Sequence, residues 1–262
     1  MKKILIIIAA FFLTPTFPQD TISAVRKNFL SISADDFVGR DDFGFVYYIK
    51  DNVLFKEKDG KSMDYKNLGL GRIKRVDLQN PLKILIFYED FNTVVTVDNQ
   101  LNETQKINFS ALDASPVITA AGTASQNRFW IYNSLTQQIG LFDYLKNTYL
   151  FIAPPVTGTI ATYTSDFNYF QWIDADGKWY SCDLFGKVQS MGSVPQNDKL
   201  CFIGREGLIY AADAKLYFFS IKNDKKYYIE NIDKSFQTFF FKDQILSIFT
   251  NRGITNYKIT LP

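Results

Sequence analysis

Asp41, Asp42 and Asp77 are the residues of this chain whose type and placement could do chemistry. A protonated and an ionised carboxyl group facing each other across a glycosidic bond are sufficient to hydrolyse it. Other catalytic routes are closed by composition. The 262 residues include no histidine, which removes Ser-His-Asp and Cys-His catalysis and histidine zinc sites together. Neither GxxxxGK[ST] nor GxGxxG occurs in a strand-turn-helix context. The run Asp174-Ala175-Asp176-Gly177 begins like a calcium loop but lacks the later ligands and the closing Glu, so it reads as a hairpin turn. No cofactor and no metal are expected.

The elements that must position these aspartates recur. Apolar strand segments begin at Phe45, Ile84, Phe129, Tyr169, Leu208 and Ile245, spaced 39, 45, 40, 39 and 37 residues apart. Each is flanked by further short strands and polar turns. A period of about 40 residues with several strands per unit is the mark of a β-propeller, whose small sheets bury their faces only by stacking radially. The fold expected is all-β, a propeller of six four-stranded blades.

Local chemistry agrees with that reading. Asp51-Asn52, Asp59-Gly60, Asp98-Asn99 and Asp176-Gly177 lie between apolar runs, and such pairs tolerate the positive φ of tight hairpins. The first strand of the third unit, Val117 to Gly122, is built of small residues, as suits the crowded axis. The last unit supplies only three strands. Phe29-Leu30-Ser31-Ile32-Ser33, near the other end of the chain, is therefore expected to complete the sixth blade and close the ring, removing an exposed edge. On this frame Asp41 and Asp42 lie beside the inner strand of blade one and Asp77 within that of blade two. The other inner strands have no carboxylate in their middles, so solvated turn residues are favoured over a glycan-active site built from the three.

The first residues read as an export signal. Lys2-Lys3 precede ten apolar residues, Ile4 to Leu13, and then small and polar residues with prolines. That run is too short to span a bilayer, and no cysteine follows it to accept a lipid. Residues 1–18 are expected to be a signal peptide and 19–262 a single propeller domain of about 240 residues, within the range of closed all-β folds. Of the 29 basic residues, two lie in the leader, leaving 27 against 27 acidic. A neutral chain with scattered Lys and Arg argues against nucleic acid as a partner. Cys182 and Cys201, the only cysteines, fall on the third strand of blade four and the first of blade five. Bridged Cα atoms lie within about 7 Å, so free buried thiols are favoured over a disulfide.

The least generic stretch is Asn80 to Asn92, with an aromatic, Phe91, in its turn. As structure it is a hairpin whose turn aromatic folds back on a neighbour. As function it is a candidate partner surface comprising Phe87, Tyr88 and Phe91, joined by the basic cluster Arg72, Lys74 and Arg75.

The leader without a lipid-accepting Cys, the six aromatic-rich repeats and the Asn80 to Asn92 segment together resemble the periplasmic or secreted propellers of Bacteroidota, and among them the PorD-like components associated with the type IX secretion translocon. The resemblance implies a non-catalytic, protein-binding part of an envelope complex, exported to the periplasm and associated with the outer membrane without spanning it. It transfers no catalytic residue. The alternative expectation is a secreted glycan-binding or glycan-hydrolysing propeller using Asp41, Asp42 and Asp77.

Overall fold

A computed structural model describes residues 20–262; the leader expected at 1–18 lies outside the described residues. Six antiparallel sheets form the blades of a propeller. Their inner strands are Asp36–Arg40, Arg75–Asp77, Ile118–Thr123, Ile160–Ser165, Lys199–Ile203 and Thr238–Lys242. Each of the first five sheets is completed by the next three strands of the chain, ending at Lys61–Tyr65, Glu103–Asn108, Thr148–Phe151, Val188–Ser193 and Lys225–Glu230.

Blade six takes Thr238–Lys242, Ile245–Thr250 and Gly253–Lys258 from the end of the chain and Val25–Leu30 from its beginning. The closing strand is the one expected, but it starts earlier and ends sooner than Phe29 to Ser33. The reason is its environment: VRKNFL is almost wholly exposed, so no burial pattern marks its bounds. A second strand, Thr21–Ser23, adds in parallel to the outer edge of blade five, pairing Thr21 with Tyr228 and Ser23 with Glu230. Ten consecutive residues thus cover the outer edges of two neighbouring blades, and edges so covered are withdrawn from pairing with other chains.

The second strands read as unbroken apolar runs because both their faces are packed by neighbouring blades. All five residues of Ile84–Tyr88 are buried, as are all five of the third strand beside it, Thr93–Val97. The largest fully buried side chains, Trp130, Trp172, Trp179 and several Tyr and Phe, are all aromatic. Trp130, Phe170 and Trp172 fill the seam between blades three and four, and Trp179 and Tyr210 the next one. Flat rings suit these interfaces because they bury large areas between sheets.

Turn chemistry departs from expectation at one hairpin. Asp51 and Asn52 both take positive φ, as do Asp59 and Gly60, while at Asp176-Gly177 the glycine alone does. Asp98-Asn99 does not. There the Asp98 carboxylate accepts hydrogen bonds from the Gln100 and Asn102 amides, and the left-handed residue is Leu101, whose side chain is buried in the apolar cluster of blades one and two. At Asp174, likewise, Oδ1 accepts from the amides of Asp176 and Lys178, the geometry of a hairpin turn.

Candidate functional site

Because every blade is an up-and-down meander, its loops sort onto two ends. The connections between blades and the loops between second and third strands share one end; the remaining hairpins share the other. Residues 66–74, 89–92, 109–117 and 134–137 therefore belong to a common end face.

On that face the structure brings Phe91 to the basic cluster. Phe91 lies in a single 3-10 turn, Glu89–Phe91, and its ring packs on Gly71, where an added Cβ would sit 3.1 Å from it. Gly71 also has a φ of +73°, so both its space and its backbone favour glycine. Beside it, the Lys74 ammonium pairs with the Glu89 carboxylate at 2.8 Å. That bond raises the Lys74 pKa above its ordinary value. Arg72 is exposed.

Phe87 and Tyr88 do not belong to this surface. Both are fully buried, Phe87 in the seam between blades two and three and Tyr88 in that between blades one and two. Proximity in sequence to Phe91 suggests a surface position, but strand residues of a stacked blade face its neighbours. Arg75 is also turned elsewhere, toward the axis.

Three apolar residues that the sequence reading passed over join Phe91 on the same end: Leu68, Val117 and Leu135 are 76%, 40% and 73% exposed, against 51% for Phe91. Asn92, in the left-handed conformation, ties the loops together. Its Nδ2 donates to the Pro116 carbonyl oxygen at 2.7 Å and its Oδ1 accepts from the Ile118 amide at 2.9 Å. The Ser134 amide in turn donates to the Val117 carbonyl oxygen at 2.9 Å. The available signal was an apolar residue set within a polar turn, as in Asn133-Ser134-Leu135-Thr136.

The three aspartates are not gathered. Asp41 is buried; it accepts hydrogen bonds from the amides of Phe43 and Phe45 and, at 2.8 Å, from the Tyr47 hydroxyl. Burial, and then Asp41 itself, raise the Tyr47 pKa. Lys56, buried 4.0 Å from Asp41, donates to the Asn99 carbonyl oxygen and lies over the Phe45 ring. Its pKa is lowered by burial, against the pull of Asp41. Asp42 pairs with Lys242 of blade six. Asp77 accepts from the Gln79 amide, the Thr123 amide and the Ser165 hydroxyl. Each carboxylate belongs to a separate network, and of the three only Asp77 lines the axial cavity.

That cavity, of about 540 Å³, is walled by the inner strands of blades one, two, four, five and six. Blade three is screened from it by Arg75 and Asp77, which reach Tyr163 and Ser165 of blade four. The Arg75 guanidinium stacks 4.4 Å from the centre of the Tyr163 ring and donates to the Tyr163 carbonyl oxygen at 3.0 Å. The Tyr163 pKa is raised by burial, with Arg75 acting in the opposite sense. Among the described residues, no helix is long and apolar enough to cross a membrane, and Cys182 and Cys201 are free thiols.

No family model and no curated protein sequence matches the chain. Solved structures do. A Bacteroides thetaiotaomicron protein of unknown function is 11% identical with a TM-score of 0.63, over 92% of this chain and 73% of its own. A member of the DUF4221 family from Bacteroides vulgatus is 8% identical with a TM-score of 0.58, over 92% of this chain and 99% of its own. A streptogramin B lyase is 10% identical with a TM-score of 0.57, over 92% of this chain and 98% of its own. At such identities the likeness is one of fold: a propeller with relatives in shape among proteins of Bacteroides. The lyase corrects the expectation that the chain is not an enzyme. That expectation rests on the absence of histidine and of gathered carboxylates and on the resemblance to a non-catalytic envelope component; the same frame carries lyases, so the fold does not support it.

Proposed function

We propose that the chain is an exported propeller that docks a protein partner of the cell envelope on the end face formed by the loops of blades one to three. The observation that carries this reading is the alignment of Leu68, Phe91, Val117 and Leu135 on one end, with Arg72 and Lys74 beside them. Single exposed apolar residues are ordinary, but several on hydrogen-bonded neighbouring loops, edged by charge, have the composition of an interface core and its rim. Loops held by a rigid frame are free of packing duty and available for contact.

The setting we propose is the periplasm, with the chain an accessory part of an outer-membrane assembly of the type IX secretion translocon kind. It is supported by the export signal read at residues 1–18 and by likeness in fold to Bacteroides propellers.

The test is affinity purification of a C-terminally tagged chain from crosslinked, detergent-solubilised envelopes of its own host. Translocon subunits should be recovered in fixed proportion, and the double variant Leu68→Ser, Phe91→Ser should lose them while keeping its melting temperature. Recovery of the chain alone would end the proposal.

A further inference from the structure

We infer that the axial cavity binds a small sugar acid, a uronate-type molecule whose carboxylate is taken by Arg75. Lys74 touches both the docking face and the cavity, but the inference rests on Arg75 and does not depend on that face.

The cation comes first. Arg75 lines the cavity and has no carboxylate partner among the described residues. A guanidinium keeps its charge at any working pH, and a partly buried charge calls for a counter-charge. The nearby acids are already engaged: Asp77 with Gln79, Thr123 and Ser165, and Glu89 with Lys74. Asp166, further round the wall, accepts from the amides of Asn168 and Tyr169. Asp36, also on the wall, is exposed to solvent, which screens its charge. The Tyr163 ring and carbonyl oxygen hold the guanidinium in place, so little of its rotamer freedom is left to lose on binding.

The rest of the wall selects what the carboxylate is attached to. Three further cations line it: Lys74 and Lys242 are paired with Glu89 and Asp42, and Arg40 lies at the far end of its inner strand. Between them Thr162, Thr164 and Gln171 present neutral hydrogen-bonding groups, and Phe202 and Phe240 apolar ones. Gln171 is buried and its Oε1 has no partner in the protein, so turning that atom toward a ligand hydroxyl breaks no existing bond. One carboxylate, several hydroxyls and an apolar C–H face describe a sugar acid. A cavity of about 540 Å³ is within the range of small-ligand sites.

The test is isothermal titration calorimetry of the purified chain with D-glucuronate and D-galacturonate, set against D-glucose, D-galactose and inorganic phosphate. At least one uronate should bind about tenfold or more tightly than its neutral sugar, in keeping with a charge-assisted contact. Arg75→Gln should abolish that preference, and Gln171→Leu should weaken uronate binding severalfold. The comparison of acid with neutral sugar uses the unaltered chain, so it decides the matter even if a variant misfolds. No uronate binding, equal affinity for acid and neutral sugar, phosphate binding in place of uronate, or a folded Arg75→Gln chain that binds uronate normally would each overturn the inference.

Discussion

The amide of Thr123, at the end of the inner strand of blade three, donates a 2.7 Å hydrogen bond to the carboxylate of Asp77 on the inner strand of blade two. Forty-six residues separate the two in sequence, and the bond is buried. The same carboxylate oxygen receives the Ser165 hydroxyl from blade four at 3.4 Å. Asp77 thus joins three consecutive blades at the axis, a structural duty that the sequence alone presented as an option for catalysis.

Asp77→Ala should leave the buried Thr123 amide without a partner and cost about 1–3 kcal/mol. For a chain of this size that corresponds to a fall in melting temperature of roughly 2–4 °C per kcal/mol. Calorimetric melts of the two proteins check this. An unchanged melting temperature would remove Asp77 from the seam.

Gly122→Ala tests the same joint by steric means. A Cβ there would lie 2.0 Å from the Ser165 Oγ and 3.1 Å from the Asp77 Oδ2. Something must move, and overpacking of this kind costs typically about 1–3 kcal/mol. Adding Ser165→Ala removes the nearest atom, so the double variant should regain part of the loss in a urea unfolding series. Strict additivity of the two changes would show that they do not meet.

Burial pushes the Cys182 thiol up to about 12 and the Cys201 thiol up to about 11. The thiolate is the reactive form. At pH 8 both groups should be almost wholly protonated, and raising the pH to 9 should change little. Cys182 is also buried, whereas Cys201 is only partly buried and lines the axial cavity. A chromogenic disulfide reagent is expected to find no thiol in the native protein and two after denaturation. Rapid titration of Cys182 in the native state would contradict its burial, and rapid titration of Cys201 would contradict its raised pKa.

Deleting residues 20–30 should open two edges at once, on blades five and six. Uncovered edge strands pair with other chains, so the shortened protein should associate, as read by light scattering. Deleting residues 20–23 alone removes only the parallel strand on blade five and should leave the ring closed. If the longer deletion stayed monomeric and melted like the intact chain, the closing role of Val25–Leu30 would be wrong.

Several features were legible in the sequence because they are local or repeat. The period of about 40 residues, the small inner strand at Ala120-Ala121-Gly122 and the missing fourth strand of the last unit together specified a ring of six. Hairpins at Asp51-Asn52 and Asp59-Gly60 were readable because those residue types tolerate the backbone the turn requires. Strand bounds at the outer edge were not, since Val25–Leu30 is solvent-facing and solvent imposes no pattern.

Side-chain roles were decided only by tertiary structure, because which face of a strand meets which neighbour is a property of stacking. Phe87 and Tyr88, beside Phe91 in sequence, are buried in seams between blades, while Leu68, Val117 and Leu135 from three other loops join Phe91 on one end. Arg75, one residue from Lys74, points to the axis and lies on Tyr163 from two blades away. Asp41, Asp42 and Asp77 look alike as sequence; a buried turn, an ion pair with Lys242 and a three-blade joint separate them. Residue types set what each group can do, and closing the ring decides what each one touches.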